Sequence, residues 1–134
     1  MHGLDDAALG RQPLATSALS LAGIVRHLAV VERWYFQGTL GQRFPGELYD
    51  DATDAAFTDA HTSSPDEAFG TWAREVEVSR SIIDGLALDD VRTNPDNNQQ
   101  HSMVWVLTHM IDEYARHLGH ADLLREAVDG STGE

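Results

Sequence analysis

The sequence predicts an all-α protein, and three observations lead to this prediction. Apolar residues recur at helical spacing along three long stretches, near residues 17–40, 64–88 and 102–128. Polar connections rich in Pro, Gly, Asp and Asn separate these stretches. The sequence shows no strand-like alternation of convincing length. Since a chain of 134 residues can bury one sizeable core, we expect a single domain that spans residues 1–134.

The first long helix, helix A, follows an N-terminal segment with little periodicity. Residues 1–16 mix Gly, Asp and Pro, so only LDDAAL within them is expected to form a helical turn. Thr16 or Ser17 is expected to cap helix A, which continues to about Leu40. His27 lies inside the apolar face of this helix. The residues on the opposite side, which are expected to face water, are Arg26, Arg33 and Gln37.

Helix B is predicted from a strong start signal at residues 64–67, SPDE. This signal combines a cap, Pro at the first helical position and Glu placed for a capping box. The apolar stripe of helix B continues to about Leu88 and contains no obvious chemical group. Residues 41–63 before it predict a long surface loop, whose acidic residues form either solvated surface or a mouth that shapes access to a site. Residues 89–101 after it predict a polar connection with a turn.

Helix C carries the candidate chemistry. Ser102 is expected to cap it, and Gly130 is expected to end it soon after Val128. Glu113 and His117 lie four residues apart, and both point into the apolar arc of this helix. A lone buried carboxylate is costly and is normally paired or bound to a metal, so the two side chains require a third partner.

We predict that this partner is His27 and that His27, Glu113 and His117 bind one metal ion. Three protein ligands with an open position are the pattern of a catalytic zinc site. Because these ligands offer only nitrogen and oxygen, zinc, nickel, iron and manganese are all candidates. The alternative interpretation is a set of hydrogen-bonded core residues without a metal, since ExxxH occurs on many helices by chance.

Three further polar residues lie at the rim of the same helical face: His109, His120 and Arg116. They are candidates for supporting the metal ligands, for binding a substrate anion, or for simple exposed surface. No catalytic residue is assigned beyond these rim candidates.

Aromatic residues near the candidate site are interpreted mainly as packing residues. This interpretation applies to Trp34, Tyr35 and Trp105, although aromatic side chains near an open metal position often line a pocket. His61 and His101 lie in irregular segments and carry no pattern that indicates a role.

Composition excludes several classes of function. The net charge of −13 argues against nucleic acid and anionic membranes as partners. All nine basic residues are Arg, and the absence of Lys excludes Schiff-base chemistry. The absence of Cys excludes disulfides, a thiol nucleophile and thiolate metal ligands. Since no signal-peptide pattern and no run of about 20 apolar residues is present, we expect a cytoplasmic protein.

Two segments of the sequence resemble the DinB-like superfamily. They are SLAGIVRHLAVVERWYF and WVLTHMIDEYARHLGHADLLREAVDG, and their most specific parts are RHLAxVER and EYARHxGHADLLRE. The resemblance covers about residues 4–130 and is closest to the branch related to mycothiol-dependent maleylpyruvate isomerases and thiol S-transferases. It implies an up-and-down four-helix bundle whose first helix is short or missing in this chain.

The resemblance also implies a metal site and a reaction. In the superfamily a divalent metal, commonly zinc or nickel, is held by three His, and in the isomerase branch a Glu replaces one of them. The matching positions here are His27, Glu113 and His117. The implied function is a metal-dependent transferase that joins a small thiol such as mycothiol to an electrophile, or an isomerase that uses the same thiol as cofactor.

Two other classes of function stay open on sequence grounds. A metal-binding or purely structural bundle, with a role in stress response or partner binding, would show no turnover. Metal-assisted hydrolysis would use water as the nucleophile, and Glu113 could not then be both ligand and free base. Because a missing first helix would leave an apolar seam facing water, we also expect a homodimer.

Overall fold

Three long helices dominate the computed structural model, which describes residues 3–133. In chain order the elements are α1 (Asp6–Leu9), α2 (Leu21–Glu32), a π-helix (Arg33–Leu40), α3 (Ala55–Thr58) flanked by 3₁₀ turns (Asp51–Thr53 and Ala60–Thr62), α4 (Pro65–Ile83), β1 (Val91–Thr93), β2 (Gln100–Ser102) and α5 (Met103–Asp129). The all-α prediction is confirmed, because these two short strands are the only ones within the described residues. No helix in residues 3–133 has the length and hydropathy that crossing a lipid bilayer requires.

Helix A is present, but it begins later than predicted. Ser20 caps α2, and its Oγ accepts a hydrogen bond from the backbone N–H of Gly23. The predicted caps were wrong because the Oγ of Ser17 accepts instead from the N–H of Leu19, which holds a turn before the helix. The predicted end near Leu40 is confirmed.

The last part of helix A is a π-helix rather than an α-helix. At its end the N–H of Gly41 donates to the carbonyl oxygen of Phe36 over 2.7 Å, five residues back. A Cβ at position 41 would lie 2.7 Å from the carbonyl oxygen of Gln37, so only glycine fits here without a shift of the backbone. Phe36 and Leu40, both from this segment, are buried in the core.

Segment 41–63 is only in part the surface loop that the sequence predicts. Residues 42–50 are irregular and mostly exposed, as predicted. Beyond them, α3 and the 3₁₀ turn after it fold back over α2, and the buried residues of this part are Ala55, Ala56, Phe57 and Ala60. The prediction was wrong for this part because four apolar residues in a stretch rich in Asp give too weak a periodic signal.

This covering segment also explains why Arg26 does not face water as predicted. Arg26 is only 4% exposed, and its guanidinium donates to the carbonyl oxygens of Asp59 and Ala55. The same guanidinium lies 4.0 Å from the centre of the Tyr49 ring. The folded segment therefore covers the side of α2 that helical periodicity assigned to solvent.

Helix B begins as predicted and ends earlier. The Oγ of Ser64 accepts a hydrogen bond of 3.2 Å from the N–H of Glu67, and Pro65 occupies the first turn. The helix ends at Ile83 rather than near Leu88, which lies beyond the helix and is 59% exposed.

The predicted polar connection at residues 89–101 contains a short antiparallel hairpin. Arg92 of β1 lies opposite His101 of β2. The N–H of Asn94 donates to the carbonyl of Gln99, which closes the turn. Strands of three residues with mostly polar side chains show no alternation, so the sequence indicated the turn but not the strands. Ser102 at the end of β2 caps α5 as predicted.

Helix α2 is the central element, since both α4 and α5 pack against it. The main core residues are Leu21, Ile24, Leu28, Phe36, Leu40, Val106, Met110 and Leu124. A hydrogen-bond chain links the three helices, in which the indole N–H of Trp72 donates to Tyr114, and the Tyr114 hydroxyl donates to Glu32, each over 2.7 Å.

Helix α4 contributes charge to the interior through Glu75, which lies outside its predicted apolar stripe. Glu75 is 5% exposed and accepts hydrogen bonds from the Nε and Nη2 atoms of Arg33 at 3.1 and 2.7 Å. Gln37 donates to the same carboxylate, and Ser79 donates to Glu32. The prediction that Arg33 and Gln37 face water was wrong, because both reach across to α4.

The buried Arg33–Glu75 pair gives a test of this packing. We expect Glu75→Ala to lower the free energy of unfolding by about 3 kcal/mol, because it leaves a largely buried guanidinium without its partner. Urea denaturation followed by circular dichroism measures the change. The matched control is Glu77→Ala, which removes a pair with Arg80 whose two side chains are 72% and 70% exposed, and it is expected to have little effect. Equal losses in the two variants would contradict the assigned role of Glu75.

Candidate metal centre

Helices α2 and α5 bring His27, Glu113 and His117 together. One ligand atom of each residue lies within 4.8 Å of the ligand atoms of the other two. The Oε2 atom of Glu113 is 3.8 Å from His27 Nε2 and 3.5 Å from His117 Nε2. The three residues selected from the sequence therefore face a common point inside the fold.

Core packing explains why these side chains point inward. Val106, Met110 and Leu124 lie on the same arc of α5 as His117, and all three are buried against α2. Their burial fixes the rotation of α5 about its axis. Glu113, one turn before His117, is thereby directed towards α2.

The spacing around the Glu113 carboxylate fits a bound cation. Distances of 3.5 and 3.8 Å to the two imidazole nitrogens exceed the length of a good hydrogen bond. Ligands placed tetrahedrally at about 2.0–2.1 Å from zinc lie about 3.4 Å from one another. His117 and Glu113 already stand near this separation, whereas the ligand atom of His27, within 4.8 Å of the other two, must move closer. The donor set of two nitrogens and one oxygen therefore suits a divalent metal.

Burial keeps the two imidazoles of the cluster in their neutral form. Burial lowers the pKa of His27, although the nearby carboxylates of Glu113 and Asp54 oppose this effect. Burial also lowers the pKa of His117, and the neighbouring His27 lowers it further. A neutral imidazole is the form that binds a metal, so the surroundings favour metal binding over an ion pair.

Phe57 flanks the cluster and was not considered in the sequence analysis. Its ring stacks on His27 with 5.2 Å between ring centres and 30° between ring planes. The His27 ring is in turn 4.6 Å from the His117 ring. Phe57 was missed because it lies in the segment that was predicted to be a surface loop.

All three rim candidates lie next to the cluster. His109 Nε2 and Arg116 Nη1 are 3.7 and 3.6 Å from Glu113 Oε1. The Nδ1 atoms of His120 and His117 are 3.5 Å apart. Arg116 also pairs with Asp112 at 2.9 Å, and its side chain is 54% exposed, so it lies where a molecule from solvent would meet the site.

A row of stacked aromatic rings supports His109. Its ring is parallel to that of Trp105 within 5°, at 5.0 Å between centres, and 4.5 Å from the Tyr35 ring. His101 stacks on Trp105 at 3.7 Å. The row therefore orients His109 towards Glu113. His101, Trp105, His109 and Glu113 follow one another at intervals of four residues. This spacing is the sequence signal that could have revealed the row.

Two other residues from the sequence analysis lie outside this arrangement. Trp34 packs edge-on against Phe44 at 5.1 Å. His61 is exposed in the 3₁₀ turn that precedes α4. Neither belongs to the cluster around Glu113.

A comparison with protein families assigns the chain. A family model described as mycothiol-S-transferase matches residues 1–130. The chain belongs to the mycothiol-S-transferase family. This assignment agrees with the resemblance carried by RHLAVVER and EYARHLGHADLLRE. The comparison with curated proteins found no match, and the comparison with solved structures found none either.

The lowered pKa of His117 makes the stability of this mycothiol-S-transferase family member sensitive to pH. Below the ordinary His value of 6.5 the unfolded state binds more protons than the folded state, so stability falls as the pH falls. We expect the stability advantage of the wild type over His117→Gln to shrink between pH 7.5 and 5.5. Urea denaturation in the presence of a chelator measures this difference in the free energy of unfolding. The variant His61→Gln, at an exposed position, is the control. An advantage that grew at pH 5.5 would contradict this burial effect.

Proposed function

We propose that this protein is a metal-dependent S-transferase that uses mycothiol as its thiol substrate. The family assignment supports mycothiol-related thiol transfer. The observation that carries the metal dependence is the convergence of His27, Glu113 and His117 on one point. Two imidazoles and one carboxylate with an open position form the donor set of catalytic zinc sites. We therefore propose zinc as the metal, with nickel as the other candidate.

The chemistry divides between the bound ion and the side chains around it. A divalent cation in this cluster supplies the charge that favours thiolate over thiol at neutral pH. Glu113 offsets part of that charge, and the neutral rings of His27 and His117 hold their donor atoms towards it. The side chains at the rim then decide how the second substrate is placed.

We assign the placement of the electrophile to the rim residues. Arg116 is fixed by Asp112 on one side and exposed on the other, so it can bind an anionic group or stabilise developing negative charge. His109 and His120 lie on the same side of α5 and can donate or accept a proton near the reacting atoms. The thiol proton leaves to solvent or to one of these rings. The thiolate sulfur forms the new bond to the electrophilic carbon, while the bond from that carbon to its leaving group breaks and the leaving group departs as an anion.

The composition of the chain agrees with an external source of sulfur. The chain contains no Cys, so the nucleophilic sulfur must belong to a small molecule. A thiol-dependent isomerase would use the same thiolate but would release the thiol unchanged. Because a reduced thiol requires a reducing compartment, we place the reaction in the cytoplasm. The homodimer expected from the sequence is a separate proposal.

Zinc binding tests the metal centre directly. We expect the metal-free wild type to bind one equivalent of zinc in isothermal titration calorimetry. His117→Ala should weaken binding by at least about 10–100-fold, a loss that even residues supporting a metal ligand can cause. The untagged protein avoids binding by a His tag, and exposed His61→Ala controls for the loss of one His. Equal affinity in the wild type and His117→Ala would exclude the proposed centre.

Conjugation of mycothiol to an electrophile such as a halogenated dinitrobenzene tests the reaction. We expect zinc-loaded wild type to form the thioether, and His117→Ala to lose this activity because the thiolate is no longer favoured. Mass spectrometry of the products separates a conjugate from an isomerised or hydrolysed substrate. His61→Ala should retain the wild-type rate. Equal rates for the wild type and His117→Ala would reject the mechanism.

A further inference from the structure

The imidazole of His27 is held by a stacked aromatic ring rather than by a hydrogen bond. Its Nε2 atom stands 3.8 Å from Glu113 Oε2, beyond the length of a good hydrogen bond. The buried ring of Phe57, in segment 55–59, stacks on it with 5.2 Å between ring centres and 30° between ring planes. Within the described residues, Phe57 therefore restricts the side chain of the one proposed ligand that α5 does not supply.

Gly23, one helical turn before His27, provides the space in which Phe57 lies. A Cβ at position 23 would be 2.9 Å from Phe57 Cδ1 and 3.4 Å from Phe57 Cα. The first distance is shorter than the separation of about 3.5–4.0 Å at which carbon atoms pack. A side chain at position 23 would thus lift Phe57 off α2 and disturb its stack on His27.

Arg26, the residue before His27, holds segment 55–59 at both ends. Its Nη2 atom donates to the carbonyl oxygen of Ala55 over 2.8 Å, and its Nη1 atom donates to that of Asp59 over 2.9 Å. Because the guanidinium is planar and its donors are fixed relative to one another, it fastens the backbone on both sides of Phe57. The helix that carries the ligand thus also carries the anchor of the segment that contacts it.

We infer that Phe57 is a positioning residue of the metal centre, which keeps the His27 imidazole directed towards Glu113 and His117. This inference rests on the proposed metal-dependent function, since it concerns the same ion. A ligand that is already restricted loses less rotational freedom when the metal binds, so its affinity is higher. The coupling is reciprocal, and a bound ion must therefore hold segment 55–59 more firmly on α2.

Zinc titration of the untagged, metal-free protein tests the positioning role. We expect Phe57→Leu to bind zinc about 3–10-fold more weakly than the wild type in isothermal titration calorimetry, because His27 gains rotamer freedom. Phe36→Leu is the matched control. Phe36 is also a buried ring of the core, at 5% exposure, but it lies on the π-helix. This variant should bind zinc as the wild type does, and circular dichroism shows that both variants are folded.

Gly23→Ala displaces Phe57 without changing its ring. Alanine is a better helix former than glycine, so α2 keeps its helical propensity. The added Cβ should weaken zinc binding by about 3–10-fold, as in Phe57→Leu. Gly70→Ala on α4 is the matched control and should have no effect, because a Cβ there meets only the side chain of Arg74, at 3.5 Å.

Hydrogen exchange followed by mass spectrometry measures the reciprocal effect. The backbone N–H groups of Phe57, Thr58 and Asp59 donate to carbonyl oxygens within residues 54–59, so their exchange reports the opening of this segment. Zinc should slow the exchange in the wild type and slow it much less in Phe57→Leu. A role in packing alone would leave this exchange unchanged by zinc.

The outcomes separate this inference from the proposed function. A wild type that binds zinc no more tightly than Phe57→Leu and Gly23→Ala do would overturn the positioning role and leave the metal centre in place. A wild type that binds no zinc would reject the metal centre and the positioning role together.

Discussion

The carboxylate of Glu113 is the constraint on which the arrangement of the helices depends. Its side chain is 12% exposed, so it has lost most of its water and requires positive or hydrogen-bonding neighbours. The turns of α5 before and after Glu113 supply His109 and His117, while His27 must come from α2. The packing of α5 on α2 therefore serves the core and the carboxylate at once. A cation shared by the three residues would remove the remaining cost of burial.

Helix α5 performs three different tasks on three sides. Buried residues such as Val106 and Leu124 attach it to α2, the flank with Glu113 forms the candidate centre, and the flank with Ile111 is exposed. This division explains why α5 is less simply amphipathic than α2.

Helical periodicity was sufficient to predict the long helices and the inward positions of His27, Glu113 and His117, because each depends on the angle between residues of one helix. The link between the two helices was predicted from the cost of burying Glu113 without a partner. It failed where distant segments meet. Arg26 was placed in water because nothing local reveals that residues 55–59 cover it. Glu75 was overlooked because its partner Arg33 belongs to another helix. The late start at Ser20 was missed because Ser17 carries an equally good capping side chain that a local turn uses instead.

The π-helix at Arg33–Leu40 has a consequence for how this segment can vary. A π-turn contains more residues than an α-turn. At the end of the segment, the backbone of Gly41 lies so close to the carbonyl oxygen of Gln37 that a Cβ would not fit. Ordinary α-helical winding of the same residues would turn each side chain about 100° from the previous one, a larger step than in the wider π-turn, so the last residues of the segment would move around the axis. Addition or removal of a residue would likewise shift Leu40 and Gly41 from their packed positions. The length of this segment is therefore as constrained as its composition, and insertions or deletions are better tolerated in the exposed stretch after Gly41.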